Sequence, residues 1–196
     1  MSSIKSVCVF CGSNPGRNPA YLAAAISLGI ELATSGIELV YGGSQIGLMG
    51  AVADAALAHG GEVFGVIPEF IAAREIAHLG VTKLVVVPSM HERKAAMAER
   101  ADAFVALPGG FGTLDELFEI LTWAQLGLHR KPCAVLNIAG YFDGLLTFLD
   151  HAADEQLLRP EYRAMLLVES DPAQLVARLR EHSPPVVETW LKPGQT

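Results

Sequence analysis

Apolar, β-branched-rich runs alternate along the chain with longer segments in which apolar positions recur at helical spacing. The short runs predict strands over residues 4–11, 37–41, 62–67, 84–87, 103–107 and 133–137, with a last short one over 166–168. The longer segments predict helices over 19–35, 47–59, 90–101, 114–127, 141–153 and 172–181. Gly36 and Gly60-Gly61 stand where the first two helices should stop. The strands are nearly continuously apolar rather than alternating, as in sheets covered on both faces. Strict strand–helix alternation implies βαβ units with right-handed crossovers, and so a doubly wound α/β fold with a parallel sheet and helices on both faces. Ligands of such sheets bind at the carboxyl ends of the strands, which directs attention to the loops that leave them.

No linker, repeat or low-complexity tract interrupts the pattern. We read residues 1–182 as one domain, with 183–196 as an extended tail carrying Pro184, Pro185 and Pro193. Composition narrows the classes further. Half of the 196 residues are apolar, which excludes a disordered chain. A formal charge of −7 with no Lys/Arg cluster argues against a nucleic-acid partner. No apolar run reaches the roughly 18 residues of a membrane span. The first seven residues lead directly into a strand without a signal-peptide pattern, and with three cysteines they point to a cytoplasmic protein. Cys8 and Cys11 form a CxxC, but no second ligand pair stands at zinc spacing. A redox pair would sit at a helix start, whereas Cys8 lies within a strand. We therefore read both as buried small residues on opposite sheet faces and expect no metal.

Three strand exits are glycine-rich: Cys11-Gly12-Ser13-Asn14-Pro15-Gly16, Tyr41-Gly42-Gly43-Ser44, and Pro108-Gly109-Gly110-Phe111-Gly112-Thr113. Glycine lets a backbone approach a ligand closely, and the free N–H groups at a helix start favour an anion. None of the loops is a Walker GxxxxGK[ST] or a GxGxxG turn, so neither a triphosphate nor a dinucleotide cofactor is expected. A small anion such as a monophosphate remains.

Ser89-Met90-His91-Glu92 reads as a capping box opening a helix, with Arg93 and Lys94 next. Cations so near a helix N-terminus oppose its dipole, which favours a ligand role over a solvated basic pair. Thr113-Leu114-Asp115-Glu116 also reads as a capping box, so the residues alone leave Glu116 open as cap or catalyst. The six histidines show no metal spacing, and His91 is read as a surface or packing residue. Phe118 and Trp123 fit a packed helix face, and no serine sits in GxSxG.

Residues 90–97 (MHERKAAM) followed by 108–116 (PGGFGTLDE) resemble the LONELY GUY (LOG) family of cytokinin riboside 5′-monophosphate phosphoribohydrolases, long labelled lysine decarboxylases. The likeness runs from about Lys5 to Leu167 and takes in Gly47-Leu48-Met49-Gly50 and the segment from Thr122 to Gly127. It implies a Rossmann-like fold, a homodimer with sites near the subunit interface, no cofactor, and a nucleoside 5′-monophosphate as small-molecule substrate. It implies catalysis by Arg93 and Glu116. The substrate-contacting set expected is Ser13, Gly43, Glu75, Arg93, Lys94, Gly110, Phe111, Gly112, Thr113, Leu114, Asp115, Glu116 and Thr122. The reaction implied is hydrolysis of the N-glycosidic bond to free base and ribose 5-phosphate. A nucleosidase of wider substrate range, and a non-catalytic module like the related molybdenum-cofactor carriers, remain alternatives.

Overall fold

A computed structural model of the chain describes residues 4–73 and 77–182. Glu75 and the tail over 183–196 lie outside the described residues. Seven strands form one sheet: β1 (Ser6–Phe10), β2 (Glu38–Tyr41), β3 (Val63–Pro68), β4 (Lys83–Val87), β5 (Ala103–Ala106), β6 (Cys133–Leu136) and β7 (Leu166–Glu169). They lie in the order β4-β3-β2-β1-β5-β6-β7, and each neighbouring pair is parallel. The chain winds outward in one direction from β1 to β4, then returns to add β5, β6 and β7 on the other side. The switch point falls between β1 and β5, where strand exits diverge and leave a crevice.

The helices are α1 (Pro19–Thr34), α2 (Gly47–Ala58), α3 (Glu69–Ala72), α4 (Met90–Arg100), α5 (Phe111–Gln125), α6 (Asp143–Asp154), α7 (Pro160–Arg163) and α8 (Pro172–Glu181), with a 3₁₀ turn over Ile138–Gly140. Alternate residues of β1 feed two cores. Val7 and Val9 pack with Leu28 and Leu32 of α1, Val52 of α2 and Leu175 of α8. Cys8 and Phe10 pack on the other face with Met97 of α4, Leu117 of α5 and Leu149 of α6. Both sheet faces are thus covered, as continuous apolar strands require. Cys8 and Cys11 fall in opposite cores, and all three cysteines are free.

Most elements fall within two residues of their expected bounds. The four-residue helices α3 and α7 are too short to show a period. One boundary differs with consequence: α5 begins at Phe111, not at residue 114. Glycine at 110 and 112 masked a helical turn whose register is set by packing. Among the described residues, no helix is long and apolar enough to cross a membrane.

Candidate active site

The β1–β5 crevice opens into a cavity of about 430 Å³. Its walls come from the β1 exit (Cys11 to Gly16), the β5 exit and first turn of α5 (Pro108 to Thr113), and side chains from α2, α4 and the β6 exit. The first two loops are tied together, since the Gly12 N–H donates to the Pro108 carbonyl at 3.1 Å. The Leu48 N–H at the start of α2 donates to the Gly12 carbonyl at 3.0 Å. Ser13, Gly110, Phe111, Gly112 and Thr113 line this cavity.

The α5 N-terminus carries the anion-binding character. Gly110 is its N-cap, and no side chain caps the helix. Among the described residues, no protein group accepts from the N–H groups of Gly110, Phe111, Gly112 or Thr113. These are orphan donors at the positive end of a helix dipole, beside a cavity. Gly109 is needed for the tight turn, because a Cβ there would meet the Thr113 hydroxyl at 2.1 Å.

The early start of α5 corrects the capping reading of Thr113 to Glu116. Thr113 lies inside the helix and caps nothing. Buried positions on α5 are Thr113, Glu116, Leu117, Ile120 and Ala124, a single helical stripe facing inward. A carboxylate has been placed on the apolar face. Glu116 is only 7 % exposed, and Arg93 opposite it 9 %. Glu116 Oε1 stands 3.5 Å from Arg93 Nη2. Burial holds the Glu116 carboxyl above its ordinary pKa, against the opposing pull of the Arg93 guanidinium.

Arg93 reaches the cavity from α4. That helix is capped as expected at Ser89, whose hydroxyl accepts from the Glu92 N–H at 3.2 Å; it also donates to the Glu92 carboxylate at 3.1 Å. Arg93 and Met97, one turn apart, share the buried face of α4. The guanidinium lies over Gly42 at the β2 exit, where a Cβ would stand 2.0 Å from Nη2 and 3.0 Å from the Met49 sulfur. Among the described residues, the buried Arg93 Nε has no hydrogen-bond partner.

Other expected contacts lie elsewhere. Lys94 Nζ is 3.0 Å from Glu119 and 3.3 Å from Asp115, where it ties α4 to α5 outside the cavity lining. Leu114 packs into the core on its side of the sheet. Gly43, at φ +75°, sits under Ile67 and Leu84, and its carbonyl accepts from the His78 N–H at 2.9 Å. The Thr122 hydroxyl donates to the Phe118 carbonyl at 2.7 Å; the residue lines a separate depression of about 80 Å³ beside Leu149 and Tyr162. His91 is exposed. Several lining residues were not singled out from the sequence: Tyr21, Ile71 and Tyr141, which carry no motif signal, and Met49 and Met90, which lie within the quoted motifs but were not named as contacts. Gly42 was visible only as half of a glycine doublet, without its relation to Arg93.

Among the described residues, no three His, Cys, Asp or Glu side chains come together as a metal site. The fold and site define a Rossmann-like α/β protein whose switch-point cavity carries free helix-start amides and a buried acid. A family model described as "possible lysine decarboxylase" matches residues 49–179. The chain is 50 % identical over 183 residues to the cytokinin riboside 5′-monophosphate phosphoribohydrolase LOG7 of Arabidopsis thaliana, covering 93 % of this chain and 84 % of that one. It is 52 % identical over 177 residues to the cytokinin riboside 5′-monophosphate phosphoribohydrolase of Rhodococcoides fascians, covering 90 % and 89 %. The chain belongs to the LONELY GUY (LOG) family. The molybdenum cofactor carrier protein of Chlamydomonas reinhardtii shares the fold at a TM-score of 0.70 and 22 % identity, over 91 % of this chain and 98 % of that one. The decarboxylase label does not suit the cavity. Pyridoxal chemistry needs a Schiff-base lysine, and among the described residues no lysine lines it.

Proposed function

We propose that this protein hydrolyses the N-glycosidic bond of a nucleoside 5′-monophosphate, a cytokinin riboside monophosphate or AMP, to free base and ribose 5-phosphate. The observation that carries this reading is the Glu116–Arg93 pair, buried at 3.5 Å one helical turn from four amide donors that are unpaired among the described residues. The amides of Gly110 to Thr113 take the 5′-phosphate at the helix N-terminus. The sugar then extends towards Glu116. Loss of the base develops oxocarbenium character at the anomeric carbon. The Glu116 carboxylate stabilises that charge, either by activating water or by direct attack. Arg93 orients Glu116 and assists the departing base. Met49, Met90 and Leu48 give the base apolar surface. The relatives' activity as cytokinin riboside 5′-monophosphate phosphoribohydrolases supports the same reading.

A homodimer belongs to this proposal. Phe111 is 94 % exposed at the cavity mouth, and Thr122 faces away from the cavity of its own chain. A second copy across α5 covers the first and brings the second to a site. We place the reaction in one nucleotide-binding domain over 1–182, acting in the cytoplasm.

The test is to incubate the purified protein with AMP and with isopentenyladenosine monophosphate and to follow free base by chromatography. Release from the isopentenyl substrate in preference to AMP supports the cytokinin reading. Equal release favours the broad nucleosidase, and binding without release the carrier module.

A further inference from the structure

The β6 exit has no glycine-rich phosphate signature, yet it supplies a side chain to the cavity. Tyr141 lines it, and its hydroxyl donates to the Gly109 carbonyl at 2.6 Å. The residue is held there by unusual means. Ala139 stands at φ 51°, ψ 33°, a left-handed conformation that costs a non-glycine residue energy, and Gly140 follows at φ 70°. Asn137 brackets the turn. Its side-chain Oδ1 accepts from the Phe142 N–H at 2.8 Å, and its side-chain Nδ2 donates to the Asp143 carboxylate at 2.7 Å. The Tyr141 ring packs edge-on against Tyr21, centroids 5.4 Å apart, and against Phe142 at 5.1 Å. The strained turn directs one hydroxyl to one carbonyl.

That carbonyl matters because of the peptide it belongs to. The C=O of Gly109 and the N–H of Gly110 share one planar trans unit and point in opposite directions. Holding the oxygen against Tyr141 therefore fixes where the Gly110 N–H aims. The loop is open on this side, since a Cβ on Gly110 would meet nothing within 4 Å. The neighbouring carbonyls are also engaged: Pro108 by the Gly12 N–H, and Gly110 by the Leu114 N–H at 3.1 Å. Every loop carbonyl from 108 to 110 is turned to a protein donor, and the N–H groups remain free for an anion.

We infer that Tyr141 is a positioning residue for the phosphate loop: its hydroxyl locks the Gly109–Gly110 peptide so that the cavity presents donors, not a carbonyl, to the ligand's phosphate. The inference rests on the phosphate-binding part of the function proposed above, not on its catalytic part. One hydrogen bond of this kind corresponds to about a three- to tenfold effect on an equilibrium.

Calorimetry on Tyr141→Phe, with ribose 5-phosphate and with adenine as separate ligands, tests it. The variant should bind ribose 5-phosphate about three- to tenfold more weakly and adenine as the wild type does. KM for AMP should rise by the same factor with kcat nearly unchanged. Equal weakening of both ligands assigns the tyrosine a merely structural role and overturns the inference; so does unchanged ribose 5-phosphate binding. Should Tyr141→Phe not fold, Asn137→Ser, which loosens the bracket and keeps the hydroxyl, must show the same phosphate-selective loss, and its absence overturns the inference. A wild type that binds ribose 5-phosphate but releases no base defeats the proposed hydrolysis alone. One that binds no ribose 5-phosphate defeats both.

Discussion

Gly42 and Arg93 are separated by 51 positions in sequence, yet the space left by the missing side chain of one is filled by the guanidinium of the other. A Cβ on residue 42 would come within 2.0 Å of Nη2, the same nitrogen that faces Glu116 at 3.5 Å. The obstructed atom ends a flexible side chain, so the fold can absorb the intrusion and the site cannot. Gly42→Ala should leave the melting temperature within a few degrees while kcat falls at least about tenfold, because a misplaced group costs rate steeply. Parallel thermal melts and steady-state kinetics check this. A fully active variant would show that the seating of Arg93 is not needed.

Breaking the buried pair has a second readout. Arg93→Ala leaves the Glu116 carboxylate buried without its counter-charge, a change that typically costs about 3–5 kcal/mol. Replacing both partners, as in Arg93→Ala with Glu116→Gln, removes the charge as well. Denaturant melts at neutral pH should find the double variant more stable than Arg93→Ala alone, with both inactive. The reverse order of stability would contradict the pairing.

Burial raises the Glu116 pKa, and the sign of the consequence follows. A carboxyl whose pKa is higher folded than unfolded stabilises the fold below its unfolded value, and that contribution is lost as pH rises through the folded value. Above the ordinary glutamate value of about 4.3, the wild type should therefore lose stability with rising pH relative to Glu116→Gln, which carries no such proton. Catalysis runs the other way. Because the reaction uses the carboxylate, kcat should climb with pH through a limb lying above the ordinary glutamate value of about 4.3. Paired pH profiles of kcat and of unfolding free energy measure both. A limb at the ordinary value would remove the burial effect.

Cys11 lines the cavity, but burial holds its thiol well above its ordinary pKa; that of Cys133 is pushed up to about 12. Thiolate is the reactive form. An aromatic disulfide reagent should therefore leave the native protein nearly unmodified and titrate all three cysteines only after denaturation. Reductant should not move the melting temperature, since Cys8 and Cys11 face opposite sides of the sheet. Rapid native labelling would contradict this.

How much of this was legible in sequence depends on which force set each feature. The continuous apolar strands reveal the doubly wound sheet, because both cores need them. The loop from Pro108 to Thr113 announces its donors through glycine. Local patterns mislead where tertiary packing decides. Thr113 to Glu116 has the letters of a cap, but the inward stripe of Glu116, Leu117 and Ile120 starts the helix earlier and makes Glu116 a buried acid. Lys94 follows Arg93 directly, yet adjacent helical positions diverge by about 100°, so one enters the cavity and the other meets Glu119. Tyr141 had no signal at all, since its role arises from a left-handed turn and a carbonyl 32 residues away.

The central claim is that Glu116 acts on the sugar and does not merely support a helix. The most direct measurement compares wild type and Glu116→Gln for single-turnover release of adenine from AMP, with AMP affinity measured on the same samples. The account predicts affinity within a few-fold and a rate lower by on the order of 10²- to 10³-fold. Equal rates in the two proteins would contradict it.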